Sequence, residues 1–307
     1  MNGRTFLALA ATSCMFVAGC CCCAIDLNDL LSQGGGDEEP SAETPGVDLG
    51  VAVYPEKTPA SGATKYAWRD RRLEPPVYRA GYALSADEQR DVDAAHRELA
   101  QRLKYQDAGE GAFKWVPPPG CDASMQCIFE SLAERSKPDV DPLAARFKAR
   151  IHEAKLGTLD AVELLTSFVQ TIPYEIPKDR PFGLMPPALV VSAKKGDCDS
   201  KALLLHMLLD SIGVDSVLLN SNAHRHAMLG VAVPAQGEKI RYQGREYVFV
   251  ETTAKNAPVG WISKELLKPN DWVAVPVRIR SSEKAPKSDA ATGKAADPPK
   301  STSTKKR

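Results

Sequence analysis

The sequence has no surplus of charge of either sign. Its 307 residues carry 39 lysines and arginines against 39 aspartates and glutamates, a formal net charge of zero. That balance argues against nucleic acid as the main partner, since phosphate backbones call for a basic excess or stripe. The apolar run near the N-terminus, over 6–16, is shorter than the stretch of about 20 residues that a membrane span requires. The five histidines and the acidic residues lack a recognisable metal-ligand spacing, so neither a metal site nor a cofactor is expected. What is present, 43% apolar and 25% charged residues, is the balance of a soluble globular protein. At roughly 150 residues per domain, the length suggests about two domains, or one larger domain with appendages.

The appendages are visible at the ends. Residues 1–19 carry Arg4, an apolar run over 6–16, and Val17, Ala18 and Gly19 ahead of Cys20. This is the pattern of a signal peptide. An ordinary secretory signal with a nearby cysteine would look similar, but small residues directly before a cysteine resemble the bacterial lipobox. That resemblance implies cleavage before Cys20, lipidation of its sulfur, and attachment to a membrane of the bacterial cell envelope. Cys21, not an aspartate, follows the lipidated residue, which by the same analogy implies outer-membrane sorting. Cys21, Cys22 and Cys23 are open to disulfide linkage, further acylation or no chemistry at all. Residues 20–50 read as a lipidated acidic tether: 24–50 hold Asp26, Asp29, Asp37, Glu38, Glu39, Glu43 and Asp48 with no lysine or arginine, around Gly34, Gly35 and Gly36. Such a segment is flexible and self-repelling. Residues 281–307 carry seven basic and three acidic residues among Ala, Pro, Ser and Thr, a disordered basic tail. It either adheres to anionic envelope material or is simply a solvated end.

The folded body spans about 78–280, with 51–150 expected to be a helical N-terminal region. Ser85 and Glu88 form a capping box, and Val92, Leu99 and Leu103 recur at helical spacing, predicting a helix over 86–104. His96 beside that stripe reads as a packed histidine. Cys121 and Cys127 flank Asp122, a candidate helix cap, and in an exported protein they are expected to form a disulfide. Asp141 and Pro142 suggest another helix start, and Gly157 with Thr158 separates that helix from the next. After residue 214 the pattern turns to β-branched and apolar runs at 217–219, 227–233, 247–250 and 272–277, which are strand candidates. Helices first and strands afterwards point to an α+β fold with a mostly antiparallel sheet.

The most informative stretch is Gly196-Asp197-Cys198-Asp199-Ser200-Lys201, followed by an apolar run closed by Gly213. Asp197 can cap a buried helix whose first residue is Cys198, where exposed N–H groups and the helix dipole favour thiolate. A base and an orienter follow along the chain. His226 opens one candidate strand and Glu251 closes another, so neighbouring strands packed on the cysteine helix would let both converge on Cys198. His224 is the rival base, since residues two apart on a strand share a face, but it sits in a polar stretch with Asn222 and Arg225. His206, inside the apolar helix, reads as a core histidine. Capping and dipole complementarity already account for Asp197 and Asp199.

These residues carry a resemblance. The run 196–201, His226 ahead of 227–231, Glu251-Thr252-Thr253 ahead of Val259-Gly260-Trp261-Ile262, and the preceding segment 168–174 resemble the core of the bacterial transglutaminase-like superfamily over roughly residues 160–265. The resemblance implies a transglutaminase-like domain at 151–280 with a papain-like core: a buried cysteine helix packed on an antiparallel sheet, after preceding helices. It implies Cys198 as nucleophile, His226 as general base and acid, and Glu251 as orienter of the imidazole. Members more often carry Asp at the third position. For the oxyanion, the Cys198 backbone N–H is one donor and Gln170 a candidate for the second; Gln170 as a solvent-facing or core-edge residue is the other reading.

The expected function is an envelope-anchored cysteine enzyme acting on protein or peptide amide bonds through a thioester acyl-enzyme. Water as acceptor makes it a peptidase or amidase and a lysine amine makes it a crosslinker; triad chemistry is common to both up to that step. Hydrolysis is favoured because bacterial members resemble proteases at least as often. The alternative is a non-catalytic binding or structural lipoprotein that retains the fold.

Overall fold

The computed structural model describes residues 39–55, 62–109, 112–121 and 125–279. The signal peptide, Cys20, the cysteines at 21–23, Asp122 and the basic tail lie outside the described residues. Within them, no helix is long and apolar enough to cross a membrane.

The chain opens in strands. β1 (Val47–Tyr54), β2 (Thr64–Arg69) and β3 (Val77–Leu84) form a three-stranded sheet in the order β1-β3-β2. β1 runs parallel to β3, and β2 antiparallel to it. The expectation of a helical region over 51–150 is therefore corrected, and so is the acidic tether's boundary at 50. Residues 47–50 lie in β1, and Arg79 donates to the carbonyls of Ser41 and Thr44. This sheet gains its stability from neighbours distant in sequence, which a local pattern does not display. Trp68 Nε1, for example, donates to Ser167 Oγ at 3.1 Å.

α1 (Ala86–Arg102) follows, with the capping box of Ser85 and Glu88 formed in both directions. A short pair, β4 (Gln106–Gly109) and β5 (Ala112–Lys114), leads to Cys121, which is disulfide-bonded to Cys127. α2 (Gln126–Glu153) is one helix running through both Pro138 and Pro142, so residue 142 is not a helix start, and Met125 rather than Asp122 occupies the N-cap. An internal proline costs about 3 kcal/mol. The helix continues because Ile128, Phe129 and Leu132 before the prolines and Val140, Leu143 and Phe147 beside and after them are all buried. At roughly 1.5–3 kcal/mol each, that burial outweighs the local penalty.

α3 (Thr158–Gln170), α4 (Pro187–Ala193) and α5 (Cys198–Ser211) complete the helices. Beyond them β6 (Ser216–Ser221), β7 (His226–Val231), β8 (Lys239–Tyr242), β9 (Arg245–Val250) and β10 (Val273–Val275) form a five-stranded sheet in the order β10-β6-β7-β9-β8. Every pairing in it is antiparallel, as the α+β reading expected. β8, polar and short, is the strand that apolar runs do not reveal. α5 touches α2, α3 and α4 as well as β6 and β7, and every residue from Cys198 to Leu209 is buried. One apolar cluster includes Leu49, Trp68, Phe147, Phe168, Leu204 and Val275. Residues 51–150 and 151–280 thus share one large apolar cluster, and Val217, Met228, Phe249 and Trp272 belong to a second, smaller one.

Candidate active site

The site begins at the start of the most buried helix. Asp197 is extended and its Oδ1 accepts from Ser200 N at 3.0 Å, capping α5 directly ahead of Cys198. Cys198 occupies the first helical turn, where N–H groups have no intrahelical acceptor and negative charge is favoured. Its Sγ lies 4.0 Å from Asp199 Oδ2, and it is only 2% exposed. Ser200 Oγ accepts from Met185 N at 2.8 Å, tying the segment ahead of α4 to the same helix start.

The sheet supplies a second pair. β7 and β9 are antiparallel neighbours with Leu229 opposite Val250, so the start of β7 and the end of β9 fall at one end of the sheet. His226 and Glu251 occupy those two positions. His226 Nε2 donates to Glu251 Oε2 at 2.8 Å. The other carboxylate oxygen accepts from both the backbone N and the hydroxyl of Thr253, each at 2.7 Å. Burial by itself would raise the Glu251 pKa, but the charge and hydrogen bond of His226 and the two bonds from Thr253 hold it down to about 2. An ionised Glu251 fixes the proton on Nε2 and leaves Nδ1 as the nitrogen for proton exchange.

The loop that carries Glu251 is braced from two directions. Gln170 Nε2, at the end of α3, donates to the carbonyls of Glu251 and Ala257 at 2.8 and 2.9 Å. Both amide hydrogens are thereby engaged, which corrects the assignment of Gln170 as oxyanion donor: it is a buried brace for the loop. Gly260 N donates to Phe249 O at 2.8 Å, and Gly260 itself has φ +91° against Gln236, a conformation and a closeness that a Cβ would not allow.

The remaining histidines separate cleanly. His224 Nε2 lies 3.1 Å from Asp271 Oδ2 and its ring is near Trp272, so the rival of His226 pairs with a different carboxylate. His206 donates from Nε2 to Val277 O at 3.0 Å and accepts at Nδ1 from the Ser216 hydroxyl at 2.8 Å, a core histidine. His96 Nε2 faces the carbonyls of Pro181 and Leu184 at 3.1 and 3.2 Å. Among the described residues no group of three or more His, Cys, Asp or Glu is arranged to hold a metal ion.

Sequence reasoning gave no role to Lys201, which is completely buried in α5 and donates from Nζ to Ile172 O at 2.6 Å. Burial pulls its pKa down to about 7, while Glu251 and Cys198 pull the other way. A charged residue three positions after the candidate nucleophile, inside an apolar run, was the available signal.

No protein-family model matches the chain, and no curated protein matches it. Among solved structures, one similar chain is described as a "Putative Cysteine Protease from Cytophaga hutchinsonii", at 13% identity and a TM-score of 0.32, covering 52% of this chain and 49% of that one. The chain thus spans about half the length of that solved chain. A likeness at this level carries no argument, and the reading below rests on the residues and their geometry.

Proposed function

We propose that the protein is a transglutaminase-like cysteine enzyme that cleaves or transfers at amide bonds of a protein or peptide substrate, with Cys198 as nucleophile, His226 as general base and acid, and Glu251 as orienter. The observation that carries this reading is the His226–Glu251 hydrogen bond, made between the first residue of β7 and the residue directly after β9, in the sheet on which the Cys198 helix packs. In the first step Cys198 Sγ, its proton already passed to His226, bonds to the substrate carbonyl carbon. The tetrahedral oxyanion is met by the Cys198 backbone N–H; with Gln170 engaged elsewhere, the second donor is unassigned. His226 then protonates the leaving amine, the C–N bond breaks, and a thioester remains. Water or an amine, deprotonated by His226, attacks that thioester and frees the sulfur. Hydrolysis is favoured over crosslinking. Lipid attachment at Cys20 would hold the enzyme at the bacterial envelope, at the outer membrane by the same sorting analogy.

A second reading is favoured by one observation: Cys198 is 2% exposed, as suits a binding or structural lipoprotein without turnover. Hydroxylamine trapping separates the two. A protein substrate such as casein, incubated with the enzyme and hydroxylamine, should yield hydroxamate in the parent and none in Cys198→Ala. Equal yields from both would overturn the enzyme reading, and product split between hydroxamate and free acid reports the choice of acceptor.

A further inference from the structure

Lys201 is completely buried at the start of the site helix. It is the fourth residue of α5, three after Cys198, so the two side chains leave the helix on one face. Its stem runs back toward Gly196, where a Cβ would meet Lys201 Cγ at 3.5 Å. Its Nζ is fixed on the Ile172 carbonyl at 2.6 Å, just beyond the end of the helix that braces the Glu251 loop. The charged and titratable groups that face it are Glu251 after β9, Lys255 in the following turn, and Cys198 on its own helix. Asp197 and Asp199 stand at the helix start, and His226 lies one hydrogen bond beyond Glu251.

A cation in the first turn opposes the helix dipole, and a buried ammonium is costly to desolvate. An unbranched apolar side chain would fill the same channel without either penalty, at the cost of leaving the buried Ile172 carbonyl without this donor. Glu251 already accepts three hydrogen bonds, from His226 and Thr253. Glu251 is thus already stabilised as an anion, and the other acidic group that the Lys201 charge reaches is the sulfur of Cys198.

We propose that Lys201 is a positioning residue of this site, an ammonium anchored on the Ile172 carbonyl whose charge holds Cys198 as thiolate. The proposal rests on the cysteine-enzyme reading above. Thiolate formation and retention of the Lys201 proton are linked, each favouring the other.

The test is the rate of iodoacetamide alkylation of Cys198 against pH in the full-length protein, resolved from the other cysteines by mass spectrometry. The parent, Lys201→Met and His226→Ala are compared, with thermal unfolding recorded for each. Lys201→Met should move the thiol titration upward by about one pH unit, a roughly tenfold loss of rate at neutral pH. A folded Lys201→Met that titrates as the parent does, with the parent thiol activated and sensitive to His226, would overturn the role of Lys201 and leave the enzyme reading standing. A parent thiol that titrates near the ordinary value of about 8.5 and ignores His226 would overturn both. Should Lys201→Met not fold, the Lys201 side chain is followed by NMR of the ε-carbon in labelled protein, comparing the parent with Cys198→Ala. Removing the thiolate should lower the pH at which Lys201 titrates, and an unchanged titration would overturn the proposal.

Discussion

Glu251 accepts three hydrogen bonds, and they serve two ends. The bond to His226 sets the imidazole tautomer, while the two from Thr253 keep the carboxylate ionised in a buried place. Glu251→Gln preserves the shape and removes the charge, so the imidazolium loses its partner. Alkylation of Cys198 at neutral pH is expected to slow by tenfold or more, about 1.4 kcal/mol per decade; an unchanged rate would show that the charge is idle. Gln170 makes the opposite kind of prediction. Gln170→Ala leaves the buried carbonyls of Glu251 and Ala257 without their donor, which should lower stability by about 1–3 kcal/mol in urea unfolding. An oxyanion donor would behave otherwise, losing turnover with stability intact.

At the scale of elements, α5 was the most legible part of the chain. An aspartate cap, a cysteine at the first position and an apolar run ending in glycine leave little choice of structure, and Asp197, Cys198 and the buried run occupy those places. The strands at 216–221, 226–231 and 245–250 were legible for the same reason, since their inward faces are continuous and apolar. The prolines of α2 misled because local penalties were read without the long buried face that overrides them, and β1 to β3 were missed because their partners lie far along the chain. Lys201 was visible but had no assigned partner until the fold placed Ile172 and Glu251 around it. The elements also set a pH limit. His96, between α1 and the Pro181–Gly183 turn, is pushed by burial to about 4, against the pull of the carbonyls of Pro181 and Leu184. The unfolded chain takes up that proton near pH 6.5, so the folded state loses stability as pH falls from about 6.5 toward 4, on the order of 3 kcal/mol in all. Urea midpoints measured across that window should fall in the parent and fall less in His96→Gln; parallel slopes would contradict the assignment.

For the whole molecule, one apolar cluster runs from Leu49 to Val277, so the N-terminal sheet and the helix that begins at Cys198 share their packing. The Cys121–Cys127 disulfide ties the chain before α2 to that helix's first turn, away from the site helix start in sequence and across six positions. A loop that small contributes about 2 kcal/mol by chain-entropy arguments. The double variant Cys121→Ser with Cys127→Ser should therefore unfold at a lower temperature while its Cys198 alkylation profile stays that of the parent. A changed profile would show that α2 transmits the loop's state to α5.

The most direct measurement is the pH dependence of Cys198 alkylation in the parent and in His226→Ala. An activated nucleophile predicts a parent titration well below the ordinary thiol value of about 8.5 and a shift when His226 is removed. A thiol that stays unreactive, or titrates normally and does not respond to His226, would contradict the catalytic pair and leave a non-catalytic binding protein as the better description.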